Sequence, residues 1–110
     1  MAIIVNNEIE RKPARYTLDC TEMLNEAITY YANNSPKRAE LIGNKFFEII
    51  DLLELMPEIG TICQNGMRKM LLGKFPYYIY YRIKTDYISI VGIWHTSRGT
   101  DFVEPVETQT

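Results

Sequence analysis

The sequence predicts an α+β fold, an antiparallel helical hairpin packed on a small, mainly antiparallel sheet in the order β-α-α-β-β-β. Three observations carry this. Residues 19–56 hold two apolar stripes at three- and four-residue spacing, the mark of amphipathic helices. Residues 67–94 hold three short runs rich in aromatic and β-branched residues, broken at Gly73-Lys74 and Thr85-Asp86. The two helical stretches meet at Asn33-Asn34-Ser35-Pro36, a link so short that the second helix must fold back on the first.

One domain is expected from 110 residues, and a 46% hydrophobic content fills one core. Residues 1–12 read as an N-terminal extension, 13–98 as the domain, and 99–110 as a flexible acidic tail with Asp101, Glu104 and Glu107 and no basic residue. No run of eighteen apolar residues occurs, so no membrane span is predicted. The opening MAIIV is cut short by Asn6, Asn7 and Glu8, too early for a signal peptide, which points to the cytoplasm.

In chain order, Pro13 to Leu18 reads as a strand with Tyr16 and Leu18 on one face. Asp19 reads as a helix N-cap, with Glu22 three positions on to complete a capping box. Met23, Leu24, Ala27, Ile28 and Tyr31 give the first helix its stripe. Ser35 caps the second helix and Pro36 fills its first position. That helix carries Ala39, Ile42, Phe46, Ile49, Leu53 and Met56, widened by Phe47, Ile50 and Leu52, and ends at Pro57 and Gly60. Thr61 to Gly66 reads as a loop. The three strands follow as Met67–Leu72, Phe75–Lys84 and Tyr87–Trp94.

The middle strand alternates with period two. Tyr77, Ile79, Tyr81 and Ile83 form a core face. Tyr78, Tyr80, Arg82 and Lys84 form an aromatic, basic face suited to a partner. In the last strand Ile88, Ile90 and Gly92 alternate against Val91 and Ile93, as expected of a strand buried on both sides. Trp94 reads as core. Charge is segregated: residues 67–98 hold Arg68, Lys69, Lys74, Arg82, Lys84 and Arg98 against Asp86 alone, a local +5, so the rest of a chain of net −2 carries −7. A polyanion or an acidic protein segment fits such a region. A strand edge studded with cations against aggregation gives the same pattern.

Cys20 and Cys63 form no C-x-x-C pair, and His95 is the sole histidine, so no zinc set can be assembled and no cofactor is implied. Both cysteines read as free thiols.

Four pieces in order, EAITYYANNSPKRAE, ELMPEIGT, MRKMLLGKFPYYIYYRI and IVGIWHTSR, resemble the RelE/ParE toxins of type II toxin–antitoxin systems, the plasmid-stabilisation proteins. The resemblance spans roughly residues 14–98. It implies a small cytoplasmic toxin neutralised by a cognate antitoxin, and two modes of action. The ParE-like branch inhibits growth through a protein target such as DNA gyrase. The RelE-like branch is a ribosome-dependent mRNA endoribonuclease, which needs a base, cations at the phosphorane and a proton donor. His95 and Arg98 match the histidine and arginine past the last strand in many members of both branches and are the candidate catalytic pair if the chain cuts RNA. Tyr78 stands where the nucleases carry an arginine, and PYYIYYR resembles the ParE-like branch. Arg68, Lys74, Tyr78, Tyr80, Arg82 and Lys84 are then candidates for binding target or antitoxin. A third reading is an inactive toxin-fold binding module.

Overall fold

The computed structural model describes residues 11–97. Its elements are β1 (Ala14–Tyr16), α1 (Leu18–Asn34), α2 (Pro36–Leu55), β2 (Thr61–Ile62), β3 (Arg68–Leu71), β4 (Tyr77–Ile83) and β5 (Ile88–His95), with single 3-10 turns at Pro57–Ile59 and Gln64–Gly66. The five strands form one sheet in the order β1-β5-β4-β3-β2. Only β1 runs parallel to its neighbour, β5. The helical hairpin covers one face, so the predicted fold class holds. The expected loop at 61–66 supplies a two-residue edge strand.

The hairpin forms as the sequence indicates. Ser35 Oγ accepts from the Arg38 N–H at 3.4 Å, and Pro36 opens α2 where no intrahelical donor is needed. Ala39, Ile42, Phe46, Ile49, Ile50 and Leu53 are buried, and all but Ala39 share one cluster with Ile79, Tyr81, Ile88 and Ile90 of the sheet. Phe47, Leu52 and Met56 stay exposed, so the buried stripe of α2 is narrower than predicted.

The start of α1 is a correction. The cap is Thr17, not Asp19. Thr17 has extended backbone (φ −70°, ψ 158°), and its Oγ1 accepts from the Cys20 N–H at 3.0 Å. Asp19 lies inside the first turn, where its charge favours the helix dipole instead. Leu18 is correspondingly the first helical residue and is exposed, not the inward end of a strand.

The alternation of β5 is a second correction. Tyr80 pairs with Gly92 but Tyr81 pairs with Ile90, so Val91 is an extra residue in β5. Such a bulge resets the period-two rule. Ile93 therefore joins Ile88 and Ile90 on the helix side, while Val91 and Trp94 turn to the other face. There they pack with Met67 and Tyr80 into a second small cluster.

The segment between α2 and β3 is pinned from inside. The Tyr81 hydroxyl donates to the Pro57 carbonyl at 2.7 Å and accepts from the Gly60 N–H at 2.9 Å. A Cβ on Gly60 would collide with that hydroxyl and its ring, so only glycine fits there. Arg11 and Lys12, assigned by the sequence to an extension, are tied to α2: Arg11 pairs with Glu54 at 3.1 Å, and the Lys12 N–H donates to the Glu54 carbonyl at 3.0 Å. Residues 1–10, the tail 99–110 and Arg98 lie outside the described residues.

Candidate functional site

The predicted site residues fall into three places. The first is the sheet face away from the helices. Tyr78, Tyr80 and Arg82 alternate along β4 on this side. Tyr80 is only 9% exposed: its ring packs edge-on against Trp94 with centroids 6.4 Å apart. Burial raises its phenol pKa, with Cys63 and Tyr78 adding to the effect. Tyr80 therefore supports this face more than it presents itself to a partner. Tyr78 is half-buried, and the Lys69 ammonium stands 4.5 Å from its ring centroid, a cation–π contact. The Arg82 guanidinium donates from Nε and from a terminal nitrogen to the Asn65 carbonyl, each at 3.2 Å. Asn65 has φ 57° and Gly66 φ 72°, so Arg82 braces a left-handed turn beside the face. Lys84 ends the row just past β4, and its carbonyl accepts from the Lys12 ammonium at 2.7 Å.

Arg68 does not join them. It pairs with Tyr81 across β3 and β4, on the helix side. Its guanidinium donates to the Glu58 and Gly60 carbonyls, both at 2.9 Å. It holds the turn after α2, a structural task. Lys69, one residue on, carries the charge of the open face. Lys74 is exposed in the turn between β3 and β4, away from the row on β4.

The third place is the end of β5. His95 is exposed and lies edge-on to Tyr77, centroids 5.2 Å apart. Its Nδ1 accepts from the Ser97 backbone N–H at 3.1 Å and lies 2.7 Å from Ser97 Oγ. A backbone N–H can only donate, so the neutral ring carries its proton on Nε2. Around His95 opens a cleft of about 390 Å³. Asp19, Glu22 and Glu26 of α1 form one wall, Tyr30 and Tyr77 the aromatic part, and Ile93 and Trp94 the floor. Burial, with smaller contributions from Tyr31 and Tyr30, raises the Tyr77 phenol and keeps it protonated.

The register fixes how far His95 lies from Arg82 along the sheet. Tyr77 is opposite His95, and Arg82 is opposite Ser89. Five residues along β4 at about 3.3 Å each separate them by roughly 17 Å along the strand. One phosphodiester cannot touch both. Among the described residues no cluster of His, Cys, Asp and Glu is arranged to hold a metal ion.

An apolar groove of about 290 Å³ runs along the helices, lined by Tyr16, Leu24, Ile28, Phe46 and Phe47 among others. Phe47 is 52% exposed there. No described helix is long and apolar enough to cross a membrane.

The family model described as the ParE toxin of the type II toxin–antitoxin system parDE matches residues 14–99, most of the chain. The chain belongs to this ParE toxin family. It is thus the toxin of a type II toxin–antitoxin system, and its partner is a cognate antitoxin. Among solved structures, the fold is similar to that of a chain of the chromosomal ParDE system from P. aeruginosa, with a TM-score of 0.69 at 19% identity, covering 78% of this chain and 97% of that one. No curated protein sequence matches the chain. The ParE family membership agrees with the order of elements.

Proposed function

We propose that this ParE-family toxin arrests growth in the cytoplasm by binding a protein target, DNA gyrase in the first instance, and performs no chemistry itself. The observation that carries this is the distance between His95 and Arg82, the arginine of the open sheet face. A ribonuclease must bring a base and positive charge to the same phosphate. Here Arg82 stands roughly 17 Å along the sheet from His95, by the strand rise of about 3.3 Å per residue, and Arg68 is committed to the carbonyls of Glu58 and Gly60. The carboxylates of Asp19, Glu22 and Glu26 around the His95 cleft disfavour RNA further. Lys69, Tyr78 and Arg82 supply the surface for the target. The apolar groove along α1 and α2 suits an amphipathic helix of the antitoxin, by the general logic of helix-in-groove recognition.

Two assays on purified protein separate the readings. Gyrase acting on supercoiled plasmid in its presence should accumulate trapped double-strand breaks, and translating ribosomes should retain intact mRNA. Codon-specific cuts without trapped gyrase would make it an endoribonuclease.

A further inference from the structure

The sheet face turned away from the helices is buried more deeply than the described residues explain. Met67 and Val91 are 0% exposed, and Tyr80 and Trp94 are each 9% exposed. The buried stripes of both helices pack on the opposite face, with Ile79, Tyr81, Ile88 and Ile90. Among the described hydrophobic residues, Met23, Cys63 and Tyr78 close on the Met67–Tyr80–Val91–Trp94 cluster, and all three are only half-buried. Met23 screens the β5 side: a Cβ on Gly92 would meet its sulfur and the Trp94 ring. The turn at Gln64–Gly66 screens Met67, whose N–H donates to the Gln64 carbonyl. Tyr80 lies between the two, opposite Gly92, which offers it no side chain. A sheet face with nothing layered on it leaves its large rings in water. A further segment therefore covers Tyr80.

Charge and chain path select the segment. Lys69 stands beside Tyr78, and Arg82 and Lys84 continue the row along β4. The Thr96 N–H donates to the Pro76 carbonyl at 2.8 Å, so the chain leaves β5 at the Tyr78–Trp94 end of that row. Past Arg98, Asp101, Glu104 and Glu107 recur every third residue, with Phe102, Val103 and Val106 among them. Residues 99–110, fully extended, reach about 40 Å, against roughly 20 Å from Tyr78 to Lys84. Residues 1–10 approach from the helix layer instead, since Arg11 pairs with Asp51 and Glu54 of α2. We infer that residues 99–110 lie across this face, with carboxylates against Lys69, Arg82 and Lys84 and apolar side chains over Tyr80 and Trp94. Arg98 precedes the acids and is left at the His95 end of the row, clear of the pairing. A target that binds Lys69, Tyr78 and Arg82 must displace the segment. That consequence rests on the target reading given above, but the docking itself rests on burial, charge and chain path alone.

Zero-length carbodiimide coupling of the dilute full chain, followed by peptide mapping, joins carboxylates to the lysines they touch. At low salt the expected links run from Asp101, Glu104 or Glu107 to Lys69 or Lys84 within one chain. They should fall several-fold at high salt, as exposed pairs are screened. The Lys45–Glu48 pair, 3.1 Å apart, reports that the reagent has worked. Trp94, the sole tryptophan, gives a second readout. Asp101→Lys, Glu104→Lys and Glu107→Lys together should raise acrylamide quenching of its emission several-fold, and Glu8→Lys with Glu10→Lys should leave it unchanged. Coupling of Lys45 to Glu48 with no link from the three acids would overturn the proposal. So would links made only between chains, or links made chiefly to Lys37 or Lys74 instead. Quenching that ignores the three tail substitutions, or follows those at Glu8 and Glu10, would overturn it equally. Growth arrest by the unmodified protein is scored separately, so failure here leaves the toxin reading intact.

Discussion

Thr17 Oγ1 donates to the carbonyl of Val91 at 2.8 Å, and so joins the first turn of α1 to the bulge of β5. The same oxygen accepts from the Cys20 N–H, and the residue is fully buried. One hydroxyl thus satisfies a helix donor and the carbonyl of the inserted residue. It also marks where β1 ends and the chain turns into α1. Thr17→Val keeps the shape and removes both bonds. It should cost about 2–3 kcal/mol in urea unfolding, the sum of a lost cap and an unpaired buried carbonyl. Thr17→Ser should recover most of it.

Gly60→Ala should destabilise by about 1–3 kcal/mol, because the new methyl meets the buried Tyr81 ring and hydroxyl. Tyr81→Phe alone should cost about 1–2 kcal/mol by orphaning the Gly60 N–H and Pro57 carbonyl. The double variant should lose less than the sum, since removing the hydroxyl relieves part of the clash. A double-mutant cycle in denaturant checks this. Strict additivity would mean the two residues do not share the contact.

Arg68 and Lys69 are sequence neighbours with opposite expected behaviour. Arg68→Ala removes two charge-assisted bonds to the turn after α2 and should lower stability by about 1.5–3 kcal/mol. Lys69→Ala loses a surface cation–π contact and should stay within about 1 kcal/mol of the parent. Its effect should appear instead in target binding. Urea midpoints for both variants decide between a structural and a binding role for Arg68.

Burial pushes the Cys20 thiol up from about 9 to about 12. The unfolded thiol ionises first, so this contribution is complete below pH 9 and is lost as the pH climbs toward about 12. Cys63 and the raised phenols of Tyr16, Tyr77, Tyr80 and Tyr81 act in the same direction. Unfolding free energy should therefore fall above pH 9, with Cys20 supplying up to ~1.4 kcal/mol per pH unit. Cys20→Ala should flatten that slope between pH 9 and 10, where the tyrosines contribute little.

The hairpin was readable because Ser35, Pro36 and the stripe from Ala39 to Leu53 are local signals with known spacing. The core face of β4 was readable for the same reason: Ile79 and Tyr81 follow the period of a strand. The bulge at Val91 was not, since an inserted residue in a run of Ile, Val and Trp has no mark of its own. It moved Ile93 and Trp94 to the faces opposite those expected from alternation. Asp19 with Glu22 reads as the cap in sequence, and the contact of Thr17 to Val91, made only on folding, fixes the helix start two residues earlier. The acidic surroundings of His95 come from α1, some seventy positions away, through the position of that helix beside β5. No local pattern encodes that. The two bonds of Arg68 were not legible either, because they go to carbonyls of a turn brought close only by folding.

The most direct test is induced expression of the unmodified chain and of His95→Ala in a bacterial host lacking the antitoxin, with growth and mRNA 5′ ends followed together. If the protein acts by binding alone, both forms arrest growth to the same degree and neither leaves codon-specific ends. Arrest and codon-specific cutting by the parent, both abolished in His95→Ala, would contradict the account and make His95 catalytic.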